Sequence, residues 1–278
     1  STLSICSIDE VAAATTRPPW FQLYVMRDRG YALDLMARAQ AAGCTTLVLT
    51  VDLPVVGHRY RDVRNGVSGG VPRSRQWRRA ADLARHPRWL RDVALRGRPL
   101  TFGNLERALP QARVPGDFQA WVASQFDPAV TWSDLAWIRE HWSGPIALKG
   151  VLDADDAARA VAHGVDGVIV SNHGGRQLDG VPSAAAALPR IADAVGDSCD
   201  VLADGGVRSG LDVARLVALG ARACLVGRAW AYAVAARGEP GVDHVLAVMR
   251  AELMVTLGLT GVTDVRDLNR SALVDGVA

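Results

Sequence analysis

The sequence predicts an α/β chain folded as a TIM (β/α)8 barrel, and three observations point there. Short apolar, β-branched runs recur at WFQLYV (20–25), TTLVLTVD (45–52), PIALKGV (145–151), GVIVSN (167–172), VLADGG (201–206) and ACLVGR (223–228). Each run is followed by a stretch of helix length, and such alternation marks buried parallel strands in βα units. Each run also ends in polar residues or glycine, and the carboxyl ends of barrel strands are where sites are built.

The intervening segments support helices. ALDLMARAQAAG (32–43) and GLDVARLVALGA (210–221) place apolar residues at helical spacing and reach glycine near their ends. A barrel needs eight strands and six are visible. The glycine-rich turns ADGGVRSG and VGRA follow the last two runs, and phosphate sites in such barrels follow strands seven and eight. Counting back makes WFQLYV the third strand and STLS at the start the tail of the second. The expectation is one barrel domain over residues 1–278 with strand one and most of strand two missing from the chain. A first residue that is Ser rather than Met fits a processed or truncated product. The connection over about 53–144 is far longer than the other crossovers and is expected to hold an insertion, a lid over the barrel mouth.

Composition narrows the classes. Hydrophobic residues at 49% and charged residues at 22% are globular values, which argue against disorder. The cysteines, Cys6, Cys44, Cys199 and Cys224, form no CxxC pair and no metal-ligand spacing, so no metal is expected and a reducing, cytoplasmic compartment is. No apolar run approaches the roughly 18 residues that span a bilayer, and no signal-peptide pattern opens the chain.

The densest chemical signal is SNHGGRQLDG (171–180). His173 and Arg176 stand just beyond a buried run, with Gly174 and Gly175 allowing a sharp turn. A neutral imidazole removes a proton near pH 7, and a guanidinium fork holds a carboxylate through two parallel hydrogen bonds. Together they suit a carboxylic acid that must lose a proton. Asp52 is a candidate to orient His173, or a helix cap; Arg59 is a second clamp or a solvated arginine. Gln22 and Tyr24 share one face of their strand and read as rim residues. Of the 31 lysine and arginine residues, Lys149 is the one lysine, and it falls at a strand end beside Thr50, Ser171 and Asp204 at theirs. Asp204, Gly205, Gly206, Arg208, Gly227 and Arg228 form a candidate phosphate site of backbone N–H groups and guanidinium.

The set WFQLYV, LTVDLPVVGHRYRD, LKGV, SNHGGRQLDG, DGGVRSGLDV and LVGRA runs in this order along essentially the whole chain and resembles the FMN-dependent L-2-hydroxy acid dehydrogenase and oxidase family. STLSICSIDEVA, RYRDVRNGVSG, HPRWLRDV, FDPAVTWSDLAWIR and GDSCDVLADGGVRSGLDV look most like its bacterial respiratory L-lactate dehydrogenase branch. The resemblance implies an FMN cofactor and oxidation of an L-2-hydroxy acid to the 2-oxo acid, L-lactate to pyruvate with a quinone acceptor. Mandelate as substrate, or oxygen as acceptor, is the neighbouring alternative. It also implies roles: His173 as base with Asp52 as partner; Arg176, Arg59 and Tyr24 on the substrate; Ser1, Gln22, Thr50 and Lys149 on the flavin ring with Ser171 close by; and Asp204, Gly206, Arg208, Gly227 and Arg228 on the ribityl chain and phosphate. The family's amino-terminal section, including the first barrel strand, is the departure. Its absence would leave an open seam whose strand edges invite association, so a homo-oligomer is expected. Outside the family, the rivals are a phosphate-binding barrel isomerase and a non-catalytic fragment.

Between Pro72 and Arg98 nine arginines face only Asp82 and Asp92, on a chain whose net charge is +2. The segment reads as two amphipathic stretches broken at Pro87, with Trp77, Ala80, Ala81 and Ala84 on one face and Trp89, Leu90, Val93 and Ala94 on another. Tryptophan with arginine suits an anionic membrane surface, which would make the protein peripheral on the inner face of the cytoplasmic membrane; a solvated lid is the alternative. Nucleic acid is not expected, because stacking platforms are absent.

Overall fold

The computed structural model describes residues 1–65, 73–95, 97, 101–112 and 115–274. The chain opens with α1 (Ile8–Ala13), where the Ser7 hydroxyl accepts from Glu10 N and the Glu10 carboxylate accepts from Ser7 N, a capping box that satisfies two free donors. Then follow β1 (Phe21–Tyr24), α2 (Arg29–Ala41), β2 (Leu47–Thr50), α3 (Tyr60–Arg64), α4 (Arg73–Ala84), α5 (Pro87–Trp89), α6 (Pro115–Gln125) and α7 (Ser133–His141). The second half alternates regularly: β3 (Ile146–Val151), α8 (Ala154–Ala162), β4 (Gly167–Val170), α9 (Ala184–Val195), β5 (Asp200–Ala203), α10 (Gly210–Ala218), β6 (Ala223–Cys224), α11 (Arg228–Arg237) and α12 (Glu239–Thr260).

All six expected runs form strands, and they pair in parallel in chain order, β1 to β6, as the strands of a β/α barrel do. They are shorter than the apolar runs. β6 has two residues; after Leu225 N donates to Ala203 O, the chain turns into α11 at Arg228. The start of the chain lies along the outer edge of β1: Thr2 N and Thr2 Oγ1 both donate to Gln22 O, and Tyr24 N donates to Thr2 Oγ1. Thr2 is fully buried there, so STLS does run beside WFQLYV.

Strand parity sorts the side chains, because successive residues point to opposite faces. Leu47, Leu49, Ile146, Leu148, Val168, Val170, Val201 and Ala203 pack in the main core. Val48, Ala147, Ile169 and Leu202 form a separate buried cluster, with Leu225 against it. That second cluster is the barrel interior. Two residues further along each strand, the same parity carries Thr50, Lys149, Ser171 and Asp204.

The long connection is not uniform. Leu105, Phe118, Ile138 and Trp142 are at most 1% exposed and belong to the main core, so these parts of the connection pack with the barrel strands. The basic stretch lies outside that core. Pro87 stands at the first position of α5, where its missing N–H costs nothing, and a π-type turn follows over Leu90–Leu95. Trp77, Trp89 and Leu95 are exposed. Arg96 and Arg98, with the side chains of Arg73, Arg75, Arg78, Arg79 and Ala94, lie outside the described residues. Among the described residues no helix is long and apolar enough to cross a membrane.

Truncating a buried phenylalanine leaves a cavity that costs about 3–5 kcal/mol. Phe118→Ala is therefore expected to lower the free energy of global unfolding by that amount in a denaturant titration; a change near zero would mean that the segment around residue 118 is only a loose cover.

Candidate active site

The site is the layer of interior side chains above Val48, Ala147, Ile169 and Leu202. Parallel register sets Tyr24 opposite Thr50 and Thr50 opposite Lys149. A cavity of about 340 Å³ opens there, lined by Gln22, Tyr24, Thr50, Lys149, His173 and Arg176 and by the turns that hold Asp204 to Arg208 and Leu225 to Arg228. Twelve of the residues singled out in the sequence line this cavity. The other four, Ser1, Asp52, Arg59 and Ser171, stand one step behind.

Their positions are set by hydrogen bonds. Ser1 Oγ donates to Gln22 Oε1 at 2.5 Å, and Gln22 Nε2 donates to Thr50 Oγ1 at 2.9 Å, which fixes the amide across β1 and β2. Lys149 Nζ donates to Ser171 Oγ at 2.9 Å and lies 3.1 Å from Asp204 Oδ2. Ser171 Oγ in turn donates to Asp204 Oδ1 at 2.6 Å and accepts from His173 N at 3.0 Å. Ser171 is fully buried, so it acts through Lys149, Asp204 and His173. The lysine amine, on the third of six strands, thus has the Asp204 carboxylate beside it.

His173 Nδ1 donates to Asp52 Oδ1 at 2.9 Å. This leaves Nε2 as the basic nitrogen of the neutral ring. His173 has φ of 56°, in the left-handed region, and is the one described non-glycine residue there; such strain is held where a side chain must be aimed. Gly174, at φ 65°, and Gly175, at φ 72°, continue the turn. Asp52 reaches across β3 because of Gly150. That residue sits at a break in register after Lys149, with φ of 108°, and a Cβ on it would lie 2.6 Å from Asp52 Cβ.

The acid-gripping side is cationic. Arg176 Nη2 lies 3.7 Å from Asp62 Oδ2. Arg59 immediately precedes α3, and its guanidinium is lowered below its ordinary pKa, first by burial and then by Arg176 beside it. Arg59 Nε is buried without a hydrogen-bond partner, as is Asp52 Oδ2. Burial, aided by the Asp52 charge and opposed by Arg59, pushes the Tyr24 phenol up to about 12, so it remains a donor across ordinary pH.

At the other end, Gly205 and Gly206 both have φ of 88°, a conformation that glycine alone adopts cheaply. Arg228 opens α11, and its Nη2 donates to Gly174 O at 3.2 Å. Arg208 and Ser209 give their N–H groups to Asp212 in the cap of α10, so Arg208 offers an anion its side chain, not its amide. The residues fit a phosphorylated flavin: an open glycine turn with two guanidinium groups at one end, and an ammonium, an amide and a hydroxyl on the barrel axis at the other.

Sequence reasoning missed three contributors. Gly150 looked like a strand residue; only its approach to Asp52 reveals its use. Asp62 and Gln177 were lost among other polar loop residues, although both sit within quoted motifs. All four cysteines are free, and burial pushes the Cys224 thiol up to about 11, leaving it unreactive.

An imidazole held by a carboxylate, neighbouring guanidinium groups and a glycine turn flanked by arginines surround one cavity, an arrangement chemically able to take a proton from an acid beside a phosphorylated cofactor. Residues 1–275 match the FMN-dependent dehydrogenase family, and the chain belongs to it. It is 57% identical over 277 residues to an L-lactate dehydrogenase of Caulobacter vibrioides, covering 100% of this chain and 72% of the relative. It is 52% identical over 274 residues to an L-lactate dehydrogenase of Alcaligenes faecalis, covering 99% and 72%. Among solved structures, the monotopic membrane protein (S)-mandelate dehydrogenase superposes with a TM-score of 0.89 at 37% identity, over 98% of this chain and 71% of the other. A mandelate oxidase gives 0.76 at 39% identity, over 96% and 68%. The fold is that of a TIM barrel enzyme, of which the described residues form six strands.

Gly150→Ala forces a methyl group into Asp52 at a φ that L-residues avoid. It is expected to cost about 1–3 kcal/mol in thermal or denaturant unfolding. Adding Asp52→Gly should recover part of that loss by removing the struck atoms; strictly additive losses would show that the two do not meet.

Proposed function

We propose that this chain oxidises L-lactate to pyruvate with FMN as its redox cofactor and a quinone as the final electron acceptor. The observation that carries the reading is the 2.9 Å bond from His173 Nδ1 to Asp52, which leaves Nε2 free in a cavity shared with Arg176 and Tyr24. FMN, when bound, supplies an acceptor for two electrons.

The chain's own residues do the rest. Arg176 and Arg59 hold the substrate carboxylate, and Tyr24 donates its phenolic hydrogen to the substrate. Nε2 of His173 takes the substrate proton, and Asp52 stabilises the imidazolium that results. Lys149 would supply a fixed positive charge to the redox ring, which would gain negative charge as the substrate is oxidised. As a point charge on a flexible stem, an ammonium fits between Ser171 and Asp204 where a planar guanidinium would not. Gln22 and Thr50 would hold the ring edge; Asp204 with Gly205 and Gly206 would hold the ribityl chain, and Arg208, Gly227 and Arg228 the phosphate.

Lactate is favoured over mandelate because relatives named L-lactate dehydrogenase share 52–57% of their residues with this chain, against 37% for the (S)-mandelate dehydrogenase. A peripheral membrane location is supported by that monotopic neighbour and by the exposed Trp77, Trp89 and Leu95 in the basic stretch.

Anaerobic addition of L-lactate to the flavin-loaded protein is expected to bleach the flavin faster than (S)-mandelate does. His173→Gln should slow that bleaching by about 10²–10⁴-fold with the flavin still bound. Faster bleaching by mandelate, or an unchanged rate in the variant, contradicts the proposal. Tyr24→Phe should lower kcat/KM by about 10–100-fold, as the loss of a hydrogen bond to a charged group does. Because the phenol titrates only near 12, the protonated donor is present throughout pH 6–10, so this variant should leave the shape of the pH profile unchanged over that range. Loss of an alkaline limb would show that Tyr24 ionises lower.

A further inference from the structure

We infer that Gln177 is a positioning residue that locks the loop carrying Asp52 and Arg59 to the loop carrying His173 and Arg176, so that base and carboxylate clamp keep one spacing. The inference rests on the 2-hydroxy acid reading above, and it deepens that reading by adding a residue with no contact to substrate.

The loop from Asp52 to Arg59 has little else to hold it. It contains no helix or strand before α3, Leu53 is buried, and Val55 and Val56 are 59% and 51% exposed. Apolar packing therefore orders one side chain of the loop and leaves its turn to hydrogen bonds. Gln177 supplies three of them from one amide. Its Nε2 donates to Asp52 O at 3.1 Å and to Val55 O at 3.0 Å, and its Oε1 accepts from Gly57 N at 3.3 Å. Both donors and the acceptor of the side chain are used.

The backbones also touch. A Cβ on Gly57 would lie 2.5 Å from Arg176 O and 2.8 Å from both Gln177 Cα and Gln177 O. Glycine at 57 lets the two loops meet, and Gln177 fastens them. The junction lies between the pairs that matter: Asp52 with His173 on one side, and Arg59 with Arg176 on the other. If it loosens, the carboxylate that holds the imidazole and one arm of the clamp move together.

The test uses the flavin-loaded protein with Gln177→Leu, Gln177→Glu and Gly57→Ala. Hydrogen exchange at the amides of residues 55–59 is expected to speed up about tenfold or more in all three, while the strands stay protected and FMN affinity changes less than about twofold. With L-lactate, KM should rise and kcat fall, each by about tenfold, because clamp and base are both displaced. Glu has the size of Gln but no donor when ionised, so it should fail as Leu does; rescue by Glu would reduce Gln177 to a space filler and overturn the proposal. The Gln177→Leu, Gly57→Ala double variant should be little worse than the worse single, since both break one junction. Unchanged exchange, or fast exchange with unchanged kcat/KM, also overturns it. Exchange reads the junction without any substrate, so a failure of the lactate reading shows in the unmodified protein's bleaching and is separable from a failure here.

Discussion

The arrangement depends on one hydrogen bond, that between His173 and Asp52, which joins residues 121 positions apart. They follow β4 and β2, with β3 between them. For a short aspartate to cross a whole strand, that strand must give way where it would obstruct. Gly150 does this: its register break and missing Cβ leave the volume that Asp52 fills. The imidazole is turned to meet the carboxylate by a backbone in the left-handed region. Strain at position 173 and a weakened strand at position 150 are the structural cost of aiming a base into the barrel.

Charge balance follows from the same geometry. The Lys149 amine lies 3.1 Å from Asp204 Oδ2, and the Ser171 hydroxyl bridges the two, so the cation has a carboxylate partner inside the barrel. The two arginines on the acid side are placed otherwise. Burial and then the neighbouring Arg176 disfavour the charge of Arg59, and Asp62, which lies 3.7 Å from Arg176 Nη2, favours it. A bound carboxylate relieves that repulsion, so the site favours an anion before any specific contact is counted. The ammonium end has its carboxylate partner within the protein, whereas the guanidinium end is open to an anion from outside.

Much of this was legible in the sequence, for a definable reason. A strand in a barrel is apolar on both faces until its carboxyl end, so a change to polar residues marks the rim; Thr50, Lys149, Ser171 and Asp204 were found that way. Lys149 stands out a second way, as the one lysine of the sequence. What stayed hidden depends on pairs distant in the chain. Gln177 resembles any loop amide until the carbonyls of Asp52 and Val55 are seen beside it. The long connection after β2 gave no sign in sequence that Phe118 and Trp142 are buried in the main core. Length measures where a connection goes poorly; burial decides it. Ser1 and Ser171, read in sequence as near the flavin, are hydrogen-bonded to Gln22 and to Lys149 and Asp204, residues that line the cavity.

The central claim is that a carboxylate-held imidazole is the base. Its most direct test is the rate of anaerobic flavin reduction by L-lactate in Asp52→Asn. Asparagine keeps the size but can donate to Nδ1, which favours the wrong tautomer, and a comparable change in a serine hydrolase costs about 10⁴-fold. The account predicts a fall of about 10²–10⁴-fold with FMN still bound. Reduction at the unmodified rate would contradict it.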